Sequence, residues 1–177
     1  MLLHRDGRLM EADALYRQIL EDDPRDADAL RMRGALAYQI GNAGAATELL
    51  AAARKADPNN AEVLSLLGLA MDAAGNRDGA EKAYRKALSL APKSAEIWNN
   101  LGALLRDDGR VREAAEALGR AVVLKPDYLD AYRNLGATLV RMGSLDVALA
   151  AFDAGLQLAP GDADLLLNRG VALSAAG

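Results

Sequence analysis

AEIWNNLGALLRDDGRVREAAEALGRAVVLKP, residues 95–126, contains two amphipathic helices and the turn between them. Apolar residues recur at spacings of three and four, first Ile97, Trp98, Leu101, Leu104 and Leu105, then Ala114, Ala117, Leu118, Ala121 and Val122. That spacing lays one apolar stripe along each helix. Gly109 follows Arg106-Asp107-Asp108 at the place where a left-handed residue ends a helix. Pro126 stops the second helix, because proline donates no backbone hydrogen bond and disfavours α geometry in the residue before it. The stretch reads as helix, turn, helix, stop.

Moving outward in both directions, the same unit returns. The five prolines of the chain, Pro24, Pro58, Pro92, Pro126 and Pro160, are each 34 residues apart. Glycines repeat in two registers, Gly34, Gly68, Gly102, Gly136 and Gly170, and then Gly7, Gly41, Gly75, Gly109, Gly143 and Gly177. One fixed period of this length marks a repeat architecture. The first glycine register falls inside helices, where each glycine costs about 1 kcal/mol relative to alanine. Close approach of the partner helix offsets that cost, with Ala80 and Ala114 presenting small faces to Gly68 and Gly102. A phosphate cradle is the rival explanation, and it needs a Gly-Lys-Ser/Thr run that this sequence lacks.

Composition narrows the function classes. Hydrophobic residues make up 51% but aromatics only 4%, so packing relies on small side chains and close helix contact. With 21 basic and 25 acidic residues the net charge is −4, which removes the electrostatic pull of non-specific nucleic-acid binding. Without cysteine there are no disulfides, no thiolate chemistry and no zinc site of the usual kind, and a reducing compartment is permitted. Met1-Leu2-Leu3-His4-Arg5-Asp6-Gly7 has no apolar leader core, and no run of eighteen apolar residues occurs. The expectations are a cytoplasmic chain with no cofactor, no metal, no nucleic-acid partner and no membrane partner.

The pattern Trp-x2-Leu-Gly, then Ala-x3-Phe, then Pro at a period of 34 resembles the tetratricopeptide repeat. Trp98, Leu101, Gly102, Ala114, Leu118 and Pro126 carry the resemblance in one unit, and Tyr132, Leu135, Gly136, Ala148, Phe152 and Pro160 in the next. Leu64, Leu67, Gly68, Ala80, Tyr84 and Pro92 carry it in the one before, and Leu30, Gly34, Ala46, Leu50 and Pro58 more loosely in the first. The resemblance implies an all-α fold, a right-handed superhelical solenoid of antiparallel helix-turn-helix repeats forming a single domain over 1–177. Within it, 27–60, 61–94, 95–128 and 129–162 are full repeats, 1–26 is a partial one, and 163–177 supplies a first helix only. Neither end reads as a polar cap, so the expectation is a fragment of a longer protein or open ends that meet another copy.

The resemblance also implies that first helices line a concave groove for a protein or peptide partner. Three of its features bear on function. Asp28, Glu62, Glu96, Asp130 and Asp164 put an acid in the first turn of every first helix, after candidate N-caps Asp26, Asn60, Ser94 and Asp162. Interaction with the helix dipole, about 0.3–1 kcal/mol each, accounts for the row, and selection of a basic partner is the alternative. A second column holds Asn100, Asn134 and Asn168, with Met32 and Leu66 in the earlier units. An amide both donates and accepts, so such a row can hold an extended peptide by its backbone, and it is similar to the asparagine ladder of O-GlcNAc transferases. The third feature is an absence. The carboxylate clamp of chaperone-binding members needs basic residues where this chain has Glu62, Glu96, Ala35, Leu69 and Ala103.

No enzyme constellation emerges. His4 is the only histidine and has no nucleophile partner at a diagnostic spacing. The adjacent carboxylates of Glu21-Asp22-Asp23 and Asp107-Asp108 do not face a common point on a helix. The sequence is therefore read as a binding module whose groove comprises Glu96, Asn99, Asn100, Asp130, Arg133, Asn134 and Asn168. Two alternatives stand beside it. In one, Gly7–Leu20 followed by Asp28-Ala29-Leu30 resembles the N-terminal repeats of bacterial O-GlcNAc transferase-like glycosyltransferases, and the groove serves a catalytic domain elsewhere. In the other, the chain is a self-assembling scaffold in which Leu165, Leu166, Val171 and Leu173 dock on the incomplete first unit of another copy.

Overall fold

The computed structural model describes residues 8–176. His4, Gly7 and Gly177, named above, lie outside the described residues. Among the described residues there are ten α-helices and no strand. They are α1 (Leu9–Asp22), α2 (Ala27–Gln39), α3 (Ala43–Ala56), α4 (Ala61–Ala73), α5 (Arg77–Leu90), α6 (Ala95–Asp107), α7 (Val111–Leu124), α8 (Leu129–Arg141), α9 (Leu145–Leu158) and α10 (Ala163–Ala176). Even-numbered helices are the first helices of the repeats and odd-numbered ones the second.

The two punctuation marks of the sequence act as their chemistry dictates. Gly41, Gly75, Gly109 and Gly143 all have φ between 76 and 80°, the left-handed region that a side chain resists. At each, the next residue's amide reaches back five residues, as Asn42 does to the Ala37 carbonyl at 2.8 Å and Arg110 to Leu105 at 2.9 Å. These bonds satisfy carbonyls that the helix end leaves open. The residues before the prolines, Asp57 and Lys125 among them, leave helical geometry at φ of −130 and −138°.

The chain divides into two compact units, Met1–Pro92 and Lys93–Gly177. In the first, α2 packs on α3 and α4 on α5, with α3 against α4 and α1 against α2. Its core joins Ala37, Ala46, Leu50, Leu67 and Ala70, with Leu30, Ala53 and Val63 beside them. In the second, α6 packs on α7 and α8 on α9, and α10 lies against α9. Leu139, Ala148, Phe152, Leu165 and Ala172 form a core there.

The in-helix glycines explain the small-residue composition. A Cβ on Gly34 would stand 2.6 Å from Leu50, one on Gly68 2.6 Å from the Tyr84 ring, and one on Gly102 2.5 Å from Leu118. At Gly136 the clash with Phe152 is tighter still. Each glycine is thus a notch filled by the large side chain of the paired second helix. A fully buried alanine, Ala46, Ala80, Ala114 or Ala148, sits one turn before that side chain. Filling the notch with Leu, Tyr or Phe buries apolar area worth about 1.5–3 kcal/mol per side chain, which offsets the helix penalty of glycine.

Candidate binding face

The first helices of the second unit, α6, α8 and α10, present one continuous set of register positions, with α8 against both α6 and α10. Their starts are set by side-chain caps. Ser94 Oγ accepts from the Ile97 amide at 3.4 Å and Asp162 Oδ1 from the Leu165 amide at 2.9 Å, whereas Tyr128 before α8 supplies no side-chain cap. The first turns then carry Glu96, Asp130 and Asp164.

Two of these acids are tied to cations. Lys125 Nζ donates to Glu96 Oε1 at 2.9 Å, and Arg133 pairs with both Asp130 and Asp162. The hydrogen bond from Lys125 holds the Glu96 carboxyl below the usual carboxylate range, and that from Arg133 does the same for Asp162. In return Glu96 raises the Lys125 ammonium and Asp162 raises the Arg133 guanidinium. Lys125 also lies 4.9 Å from the centre of the Tyr128 ring. Partial burial and the neighbouring acids Asp130 and Glu96 push the Tyr128 phenol up.

The asparagines fall into two groups. Asn99 is buried, at 6% exposure, and its Oδ1 accepts from Asn134 Nδ2 at 2.9 Å. Asn134 Oδ1 accepts from Arg106 Nη1 at 2.8 Å, and Arg141 Nη1 donates to the Arg106 backbone carbonyl at 2.8 Å. Asn99, Asn134 and Arg106 therefore form a polar relay joining α6 to α8. Asn100 and Asn168 are half-buried and make no side-chain hydrogen bond among the described residues.

The sequence reading placed all seven candidates on first helices, and the structure places them there. Asn99 lies beneath the face, and Asn134 spends its amide on its neighbours. Arg106, Lys125 and Tyr128 were missed, since an arginine at the end of a helix and a lysine before a proline read as ordinary solvated cations. The signal available was spacing. Arg106 is two turns after Asn99 on the same helix, so both reach the one side chain that stands one repeat further on.

The same columns in the first unit hold different residues. Arg31, in the Asn99 column, donates to Glu62 at 2.8 Å and to Asp28 at 3.2 Å. Met32 and Leu66 occupy the Asn100 column, and Leu69 takes the place of Ala103. Among the described residues no group of three or more His, Asp or Glu has metal-ligating geometry, and no helix is long and apolar enough to cross a membrane.

A family model described as tetratricopeptide repeat matches residues 65–128, 103–163 and 133–177, and a second with the same description matches 3–70. Among solved structures, MamA is 26% identical with a TM-score of 0.79, covering 88% of this chain and 91% of its own. PilF of Pseudomonas aeruginosa is 27% identical with a TM-score of 0.79, over 87% of this chain and 71% of its own. YrrB, described as a TPR protein with an unusual peptide-binding site, is 24% identical with a TM-score of 0.75, over 91% of this chain and 83% of its own. No curated protein matches the chain.

Proposed function

The chain belongs to the tetratricopeptide repeat family, and from that premise we propose that its second unit binds an extended segment of a partner protein on the face of α6, α8 and α10. The observation that carries this is the pair of uncommitted amides, Asn100 and Asn168, in one register column to either side of the tied Asn134. A half-buried primary amide offers a donor and an acceptor together, which suits the backbone of an extended peptide whatever its side chains. Ala103 and Ala137, the next column, are small enough to let a backbone approach. The ion pairs of Glu96 with Lys125 and Arg133 with Asp130 and Asp162 border the column with fixed charges of both signs. A peptide is also the kind of ligand named for YrrB.

The reading as the acceptor-presenting arm of a glycosyltransferase requires an unbroken ladder of available amides. Asn134 is engaged at both ends, and Met32 and Leu66 carry no amide, so the support goes to the interaction module. An absence of cysteine is compatible with the cytoplasm, the compartment we assign. A peptide-array screen followed by fluorescence anisotropy tests the face. Asn100→Ala with Asn168→Ala should weaken the selected peptides by roughly tenfold, the scale of a lost interface anchor, while the melting temperature holds. Undiminished affinity in that double variant sinks the assignment.

A further inference from the structure

On the first unit, two grooves one repeat apart are walled by cations and by no carboxylate. The one between α3 and α5 has a volume of about 360 Å³, and Arg54, Pro58, Leu64, Met71, Lys82 and Lys86 are among the residues that line it. Leu64 and the half-buried Met71, both on α4, form an apolar floor, and the three cations stand exposed around it. The other groove, of about 560 Å³, repeats the plan. Pro24 and Leu30 take the register positions of Pro58 and Leu64, and Arg25 and Lys55 are the cations. The end of α3 serves both, with Arg54 lining one groove and Lys55 the other.

The fold does not use these charges. Elsewhere on α5 the cations are paired, Arg85 donating to Glu81 at 2.8 Å and Arg77 standing 3.9 Å from Asp72. Arg54, Lys82 and Lys86 make no ion pair or side-chain hydrogen bond among the described residues, although Asp78 precedes Lys82 by one turn. Two lysines one turn apart on a helix repel, and Arg54 brings a third positive charge to the same groove from α3. The repeat plan does not require them, because in the second unit Val122, Ala150 and Ala154 hold the register positions of Arg54, Lys82 and Lys86. The apolar floor selects among anions. A phosphate backbone satisfies the cations alone, whereas an acidic protein segment brings carboxylates and an apolar side chain together. We propose that the groove between α3 and α5 takes an acidic segment of a partner protein, with carboxylates on Arg54, Lys82 and Lys86 and an apolar side chain against Leu64 and Met71. This surface belongs to the first unit and does not rest on the column of Asn100 and Asn168.

Peptides of about twelve residues, about 40 Å long when extended, are selected from a random display library against the 177-residue chain and measured by fluorescence anisotropy. Binders whose affinity survives Asn100→Ala with Asn168→Ala belong to this surface, and they should be rich in Asp and Glu around a Leu, Ile, Met or Phe. The triple variant Arg54→Gln, Lys82→Gln, Lys86→Gln should weaken them by roughly tenfold, the scale of three exposed charge pairs lost together. Its melting temperature should hold, because the three side chains are exposed and carry no partner. Raising the salt from about 0.1 to about 1 M shortens the screening length from about 10 to about 3 Å and should weaken the same peptides. A lack of acidic peptides among these binders, or equal affinity for wild type and triple variant, overturns the proposal. A DNA duplex of about 20 base pairs or a phosphatidylserine vesicle that binds more tightly than the peptides, and is lost in the triple variant, overturns it by making the ligand a nucleic acid or a lipid surface. Self-association in sedimentation that the triple variant abolishes overturns it too, by making a second copy the occupant.

Discussion

The two units share one helix plan and differ in what their first helices display. In the first, Met32 and Leu66 make the Asn100 column apolar and Leu69 does the same in the next, with Arg31 bridging Asp28 and Glu62 at the side. In the second, a relay of Asn99, Asn134 and Arg106 underlies a surface bearing Asn100 and Asn168. The notches beneath are the same in both, Gly34 and Gly68 on one side, Gly102 and Gly136 on the other. The lesson is that the glycine notch and its plug hold the hairpin, which frees the outward columns to diverge. A face of aliphatic side chains favours an apolar ligand; a face of amides favours a backbone.

That comparison can be broken where it claims sameness. Phe152→Ala in the second unit should cost about 3–5 kcal/mol and Leu50→Ala in the first about 2–5 kcal/mol, because each plug is fully buried. Denaturant unfolding monitored by circular dichroism measures both, and a loss below about 1 kcal/mol in either would mean that its notch is not what holds that hairpin. It is sharpened where it claims difference. Asn99→Ala deprives the Asn134 amide of its buried partner and should cost about 1–3 kcal/mol. Ser65→Ala, in the same register position of the first unit, should stay within about 0.5 kcal/mol. Equal costs would show that the relay contributes nothing particular to the second unit.

The smallest effect concerns charge. Asp162 and Glu96 have folded-state carboxyls held below their ordinary range, by Arg133 and by Lys125 respectively. A depressed carboxyl lends stability that is present above its unfolded value, about 4, and is lost as pH falls through the folded value. Asp162→Asn keeps a good N-cap for α10 while deleting the charge. The unfolding midpoint of that variant should lie below that of the wild type at pH 7, and the two should converge as the pH falls below about 4. A gap that persists at acid pH would assign the role of Asp162 to capping alone. Exposed pairs of this kind are worth little each, so the shift will be modest.

Much of this was readable in residues 95–126 before any coordinates. Gly109 could only be a helix end and Pro126 only a stop, and the 34-residue spacing carried both along the chain. The N-caps Asp26, Asn60, Ser94 and Asp162 were equally legible, since each accepts from an amide two or three residues on. The face was less so. Asn99 and Asn100 are neighbours in sequence with the same chemistry, yet one is buried and tied and the other is open. Nothing local distinguishes them, because the 100° turn between successive helical residues matters only relative to a neighbouring helix.

The sequence by itself determined the hairpin, its period and its turns, because these depend on backbone sterics and on spacing within one unit. Only the tertiary structure decided which amides remain free, and that Tyr84 and Leu118, rather than Ala80 and Ala114, fill the notches at Gly68 and Gly102. Asn134 is spent because Arg106 and Asn99 come to it from the preceding repeat, whereas Asn100 and Asn168 meet no such partner among the described residues. Both outcomes depend on what packs beside a residue rather than on the residue itself. Identical letters in identical register therefore end as scaffold at Asn134 and as uncommitted amides at Asn100 and Asn168.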